Sequence, residues 1–141
     1  MALFRKKPRP NDDSGALTDA GMQHLQNGDA TAAVKAFGAA IESDPQNGQA
    51  WYGKGCAHGE LEQYEDASHA YQQSAQCAGE RAGLPLFNLG NLYQQLEQYQ
   101  EAARCFHQAA QADPTMADAW INLGRILDDS GQHDAAVECY D

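Results

Sequence analysis

Apolar residues recur along most of the chain at the spacing of a helix face. In Leu86–Tyr93 (LFNLGNLY) they fall at 86, 89, 92 and 93, and in Trp120–Leu127 (WINLGRIL) at 120, 123, 126 and 127. From Ser14 onward the prolines are Pro45, Pro85 and Pro114, each placed where a helix can begin or end. Alanine, glutamine and leucine fill the stretches between them and β-branched residues are scarce, a composition that favours helix throughout. Gly90 resists this reading. It sits inside its apolar octet, flanked by Asn88 and Asn91, although glycine costs a helix about 1 kcal/mol against alanine and asparagine is a poor helix former.

The octet has relatives that supply a reason. WINLGRIL, WYGKGCAH (Trp51–His58) and LTDAGMQH (Leu17–His24) each carry glycine fifth, so Gly21, Gly55, Gly90 and Gly124 follow one another at intervals of 34, 35 and 34 residues. Twelve residues after each glycine stands an alanine, and four after that an aromatic: Ala33 with Phe37, Ala67 with Tyr71, Ala102 with Phe106, Ala136 with Tyr140. Asp44-Pro45 and Asp113-Pro114 close the first and third units. Four units in register establish an internal repeat.

These residues resemble the tetratricopeptide repeat, a helix–turn–helix unit of about 34 residues. The third unit matches most fully, with Leu86, Leu89, Gly90, Tyr93, Ala102, Phe106, Ala109 and Pro114, and the fourth opens with Trp120, Leu123 and Gly124. The resemblance implies an all-α fold, a right-handed superhelical α-solenoid of antiparallel helix pairs. It covers residues 14–141, in units 14–47, 48–82, 83–116 and a truncated 117–141, preceded by a disordered basic arm over 1–13. Helix A should take roughly the first fourteen residues of each unit and helix B the rest. Gly28-Asp29 and Ser130-Gly131 supply turn chemistry between A and B in units one and four. Units two and three have Glu62-Gln63-Tyr64 and Glu97-Gln98-Tyr99 there, with a tyrosine to pack over the turn. The recurring glycine and alanine are expected to let the backbones of A and B approach, while the aromatic fills space towards the next unit. Unit two runs one residue long and has Gly79 where others have proline. It is either a looser joint that changes the local twist or a harmless loop insertion, with Pro85 suited to the first turn of the next helix. Unit four stops within helix B, so either the chain is a fragment of a longer protein or the end formed by residues 133–141 pairs with another copy.

In this family helix A lines the concave face. By register, Tyr52, Phe87 and Ile121 share one inward position, Asn88 and Asn122 the next, and Asn91 and Arg125 lie one turn on. An amide offers both a donor and an acceptor, which suits the backbone of an extended peptide. Asparagine ladders of this kind occur in some tetratricopeptide proteins, so the resemblance implies peptide binding by these residues. Here the ladder has two rungs, and Gly53 interrupts it in unit two. The alternative is that both asparagines are merely solvated. The Lys and Asn pattern by which chaperone-tail receptors of the family hold a C-terminal carboxylate is missing in either frame. The wall of unit four is instead acidic around Arg125 (Asp118, Asp128, Asp129), which favours a ligand carrying lysine or arginine.

Charge narrows the classes further. Arg5, Lys6, Lys7 and Arg9 lie in the first ten residues, and the rest of the chain holds five basic residues against twenty acids, a formal charge of −15. Such a body repels phosphate backbones, so no nucleic-acid partner is expected. The four arm cations could touch an anionic membrane, but only weakly. No apolar run approaches the roughly 18 residues of a membrane span, and MALFRKK lacks a signal-peptide core, so a cytoplasmic location is expected. Cys56, Cys77, Cys105 and Cys139 form no CxxC pair and read as reduced apolar fillers. His24 and His58 share one helix-A position and read as packing residues. No catalytic, metal or cofactor constellation is found. The reading is a scaffold that grips a protein or peptide segment in its concave groove. The alternatives are the N-terminal docking array of a larger enzyme whose chemistry lies beyond Asp141, and a scaffold that self-assembles through its open last repeat.

Overall fold

The computed structural model describes residues 13–140, and among them every regular element is a helix. In chain order these are α1 (Ser14–Gln26), α2 (Ala30–Ser43), α3 (Gly48–Glu60), α4 (Tyr64–Ala78), α5 (Gly83–Gln95), α6 (Tyr99–Ala112), α7 (Ala117–Asp129) and α8 (His133–Tyr140), with a 3-10 turn at Gly79–Arg81. Each helix packs on the one before it, most extensively within the pairs α1/α2, α3/α4 and α5/α6. The result is an all-α stack of antiparallel pairs with no strand among the described residues. The cations of the basic arm, Arg5, Lys6, Lys7 and Arg9, lie outside the described residues.

The glycine period has a different cause from the expected one. The space that each glycine frees is filled by a ring, not by a neighbouring backbone. A Cβ on Gly21 would come within 2.6 Å of the Phe37 ring, and on Gly55, Gly90 and Gly124 within 2.7 Å of the rings of Tyr71, Phe106 and Tyr140. The helix-B aromatic therefore lies over the glycine of its own unit. Phe37 is confined twice, because Gly53 of the next unit also meets its ring. Phe37 and Phe106 are fully buried and Tyr71 nearly so, whereas Tyr140 is 49% exposed. Burying one such ring contributes about 1.5–3 kcal/mol, which outweighs the glycine's helix cost of about 1 kcal/mol. Ala33, Ala67, Ala102 and Ala136 are all buried beside these rings.

The turns within the pairs share one backbone conformation. Gly28, Glu62, Glu97 and Gly131 occupy the same repeat position and have φ of 77°, 58°, 59° and 83°. Two units meet this left-handed requirement with glycine and two carry a glutamate in a conformation that costs an L-residue roughly 1–2 kcal/mol. Joints between pairs are tied by side chains. Trp51 Nε1 donates to the Pro45 carbonyl at 2.9 Å, and Trp120 Nε1 to the Pro114 carbonyl at 3.2 Å. At the first joint Asn47 Nδ2 also donates to the hydroxyls of Ser14 (2.7 Å) and Thr18 (3.0 Å), while its Oδ1 caps α3 by accepting from Ala50 N at 2.9 Å. The joint between units two and three has neither proline nor tryptophan. Gly79 turns with φ 55°, Leu86 stands where the tryptophans do, and α4 and α5 make the sparsest contact of any consecutive helices. Pro85 lies in the first turn of α5, where its missing N–H has no helical acceptor to lose.

Candidate functional site

The odd-numbered helices carry the residues expected to face a ligand, and the structure links several of them across units. Asn88 Nδ2 donates to the Tyr52 hydroxyl at 2.8 Å, tying α5 to α3. Asn122 Nδ2 approaches Asn91 Oδ1 at 3.4 Å, a longer contact that joins α7 to α5. Both asparagines thus reach back to the preceding helix A, but to different repeat positions: Tyr52 stands where Phe87 does and Asn91 where Cys56 does. Their own Oδ1 atoms accept nothing within the described chain, so each rung keeps an acceptor, and Asn91 keeps both amide protons.

The aromatic position behaves less uniformly. The Tyr52 ring leans on Tyr71 with centroids 6.0 Å apart, and Phe87 leans on Phe106 at 5.7 Å. Both are half-buried and partly spent on their own unit, while Ile121 is 41% exposed. Arg125 and Asn91 are exposed. Burial, with Cys56 close by, pushes the Tyr52 hydroxyl up to about 12, and burial raises Tyr71 further still. Both phenols are therefore neutral hydrogen-bonding groups near pH 7, and Tyr71 donates to Cys56 Sγ at 3.5 Å.

Two hollows open between units. One, of about 350 Å³, lies between units two and three and is lined by Cys56, Glu60, Tyr64, Tyr71, Asn88, Asn91 and Gln95 among others. The other, of about 690 Å³, lies between units three and four where α5 and α7 end and α6 begins. Its lining joins Gln94, Tyr99, Gln100 and Ala103 to Ile126, Leu127, Asp129, Ser130 and Gln132. The sequence places Tyr64 and Tyr99 at the turns and gives them no further part. Their recurrence at one repeat position, at the start of helix B, is the signal that each stands beside a hollow between units.

Elsewhere the chemistry is quiet. His58 is buried with Nδ1 2.7 Å from Gln63 Oε1, as a packing histidine should be, and His24 is half-buried. The four cysteines are unpaired with one another, and burial pushes the Cys105 thiol up to about 11 and raises Cys77 and Cys139. Among the described residues no three His, Cys, Asp or Glu side chains come together as metal ligands would, and no helix is long and apolar enough to cross a membrane.

The family model described as Tetratricopeptide repeat matches residues 18–82 and 87–141. No curated protein matches the chain in sequence. Among solved structures, a crystal structure of MamA superposes with a TM-score of 0.83 at 18% identity, over 93% of this chain and 76% of that one. YrrB, described as a TPR protein with an unusual peptide-binding site, superposes with a TM-score of 0.79 at 21% identity, over 92% of this chain and 66% of its own. PilF of Pseudomonas aeruginosa gives 0.84 at 16% identity, over 94% and 60%. At these identities the likeness is one of fold, a right-handed superhelical stack of helix pairs.

Proposed function

The chain belongs to the tetratricopeptide repeat family, and from that premise we propose that it is a protein-interaction scaffold that holds an extended peptide along the face built by α3, α5 and α7. One observation carries the reading. Asn88 and Asn122, at one repeat position, each reach back to the preceding helix A, to the Tyr52 hydroxyl and to Asn91 Oδ1. Each amide is thereby held in place while its oxygen stays open to a peptide N–H, and Asn91 offers donors to a peptide carbonyl. Ile121 and Arg125 flank the same strip, and Tyr52 and Phe87 form its apolar side. That YrrB, of the same fold, has a peptide-binding site supports the reading.

The test is a fluorescence-anisotropy screen of a random-peptide library, followed by titration of the best binders against wild type and the Asn88→Ala/Asn122→Ala double variant. Two lost hydrogen bonds at about 0.5–1.5 kcal/mol each predict an affinity drop of roughly 5- to 150-fold with helical content intact. Unchanged affinity would remove the asparagines from the mechanism. A second reading, self-association through α8, is favoured by the exposure of Val137 (57%) and Tyr140 (49%) on one short helix. Light scattering over a concentration series decides it, and a strict monomer counts against it.

A further inference from the structure

We propose that the 690 Å³ hollow between units three and four is an anchor pocket for a lysine or arginine side chain of the bound peptide, a proposal that rests on the peptide-binding reading above. Two equivalent junctions in the chain differ at this point. Between units two and three, Gln95 Nε2 donates to the Tyr64 hydroxyl at 3.2 Å. One unit later Tyr99 holds the place of Tyr64, and Asp129 the place of Gln95. An aspartate is shorter and, when ionised, cannot donate. Among the described residues no side chain is hydrogen-bonded to Tyr99, its ring is 51% exposed, and a hollow of about 690 Å³ opens beside it. A stabilising cross-unit bond has been replaced by an open space with a carboxylate at its edge.

The lining selects the occupant. Ala103, Ile126 and Leu127 supply an apolar floor, and Asp129 is the only charged residue among the nine that line the space. Its volume lies within the roughly 300–1,000 Å³ of ligand sites. A long aliphatic stem covers such a floor while its cationic head meets the carboxylate and the face of Tyr99. A purely apolar side chain would strip water from Asp129 without replacing its hydrogen bonds, and an acidic one would face both Asp129 and a body of formal charge −15.

The experiment is an amide-resolved NMR titration of the full chain with two capped pentapeptides, Ala-Ala-Arg-Ala-Ala and its citrulline twin. Citrulline keeps the shape of arginine and removes its charge. The expected result is saturable shifts at Tyr99, Ile126, Leu127 and Asp129, with at least tenfold weaker binding of the citrulline peptide. Asp129→Asn should erase that preference, whereas Glu80→Gln, which removes a remote charge from the same acidic body, should leave it. Asp129→Gln, which restores the residue used one unit earlier, should weaken both peptides. Equal affinity of the two peptides, or an arginine preference equally sensitive to Glu80→Gln, overturns the pocket. Shifts confined to Asn88, Asn91 and Asn122 would also overturn the anchor while leaving peptide binding standing. Absence of shifts at both places would sink the two together.

Discussion

Alanine placed at three helical glycines tests how the stack is held together, because the same methyl group meets three different environments. Gly38 lies inside α2, and a Cβ added there would meet nothing within 4 Å, so Gly38→Ala should gain the plain propensity difference of about 0.5–1 kcal/mol. At Gly90 the new Cβ would stand 2.7, 2.8 and 3.0 Å from three atoms of the Phe106 ring. Ordinary contact begins near 3.4 Å, so the ring or the helix must move by roughly 0.7 Å. Phe106 is fully buried and leans on Phe87, so it has no free side to move towards. Overpacking of this kind costs about 1–3 kcal/mol, and after the propensity gain the net loss is about 1 kcal/mol, or about 4 °C in Tm. Gly124 presents an equally short distance, 2.7 Å, but to Tyr140, whose ring is 49% exposed and can swing aside. Gly124→Ala should therefore be neutral or stabilising. Guanidinium titrations followed by circular dichroism, with the slope held constant, give the three differences directly. If Gly90→Ala stabilises as much as Gly38→Ala, the ring is not wedged on the glycine at all, and this account of the stack is refuted.

Three further outcomes are expected. Glu97→Gly should stabilise by about 0.5–1 kcal/mol, because it relieves a left-handed residue with φ 59° at the position where two other units already use glycine; a loss in Tm would contradict this. Asn47→Ala removes two bonds to buried hydroxyls and the cap of α3, and should cost about 2–3 kcal/mol in the same denaturation assay, far more than an alanine at exposed Asn27. Stability should decline in alkali. Tyr52 rises from 10.0 to about 12 and Cys105 from 9.0 to about 11, so the unfolded chain loses these protons first and the folded state loses ground as pH climbs through that span. Tyr52→Phe together with Cys105→Ala should flatten the decline, and an unchanged alkaline midpoint would refute the assignment.

The helices and their period were legible in the sequence because they rest on local spacing: a glycine, an alanine and an aromatic repeated at 34 or 35 residues allow one fold. What glycine makes room for was not legible, since a missing Cβ looks the same whether a backbone or a ring fills the space. The clue was Gly53, a second glycine outside the repeat pattern, which reads as a break in the asparagine ladder and is in fact the other wall around Phe37. The left-handed turns were half hidden for a similar reason. Gly28 and Gly131 announced them, while Glu62 and Glu97 adopt the same φ under tertiary constraint, without any local preference for it. The shared position of Asn88 and Asn122 followed from register alone, but their partners did not, because the offset between stacked units decides that Tyr52 and Asn91 come within reach.

That difference locates where function is to be sought in such a chain. Positions that recur as a glycine and an aromatic, such as Gly90 with Phe106, serve the stack. A position that changes while its surroundings stay constant has been released from that duty. Residue 95 and residue 129 are such a pair: the tyrosine at the start of helix B is kept, as Tyr64 and Tyr99, while the glutamine that ties to it in one unit is an aspartate in the next. Losing the Gln95-type bond forgoes about 0.5–1.5 kcal/mol of cross-unit stability. Restoring it with Asp129→Gln should recover a gain of that size in Cm while weakening the arginine peptide. A variant that gains stability and binds arginine as well as before would mean that the exchange at this joint is incidental, and that the acid and its hollow have no part in recognition.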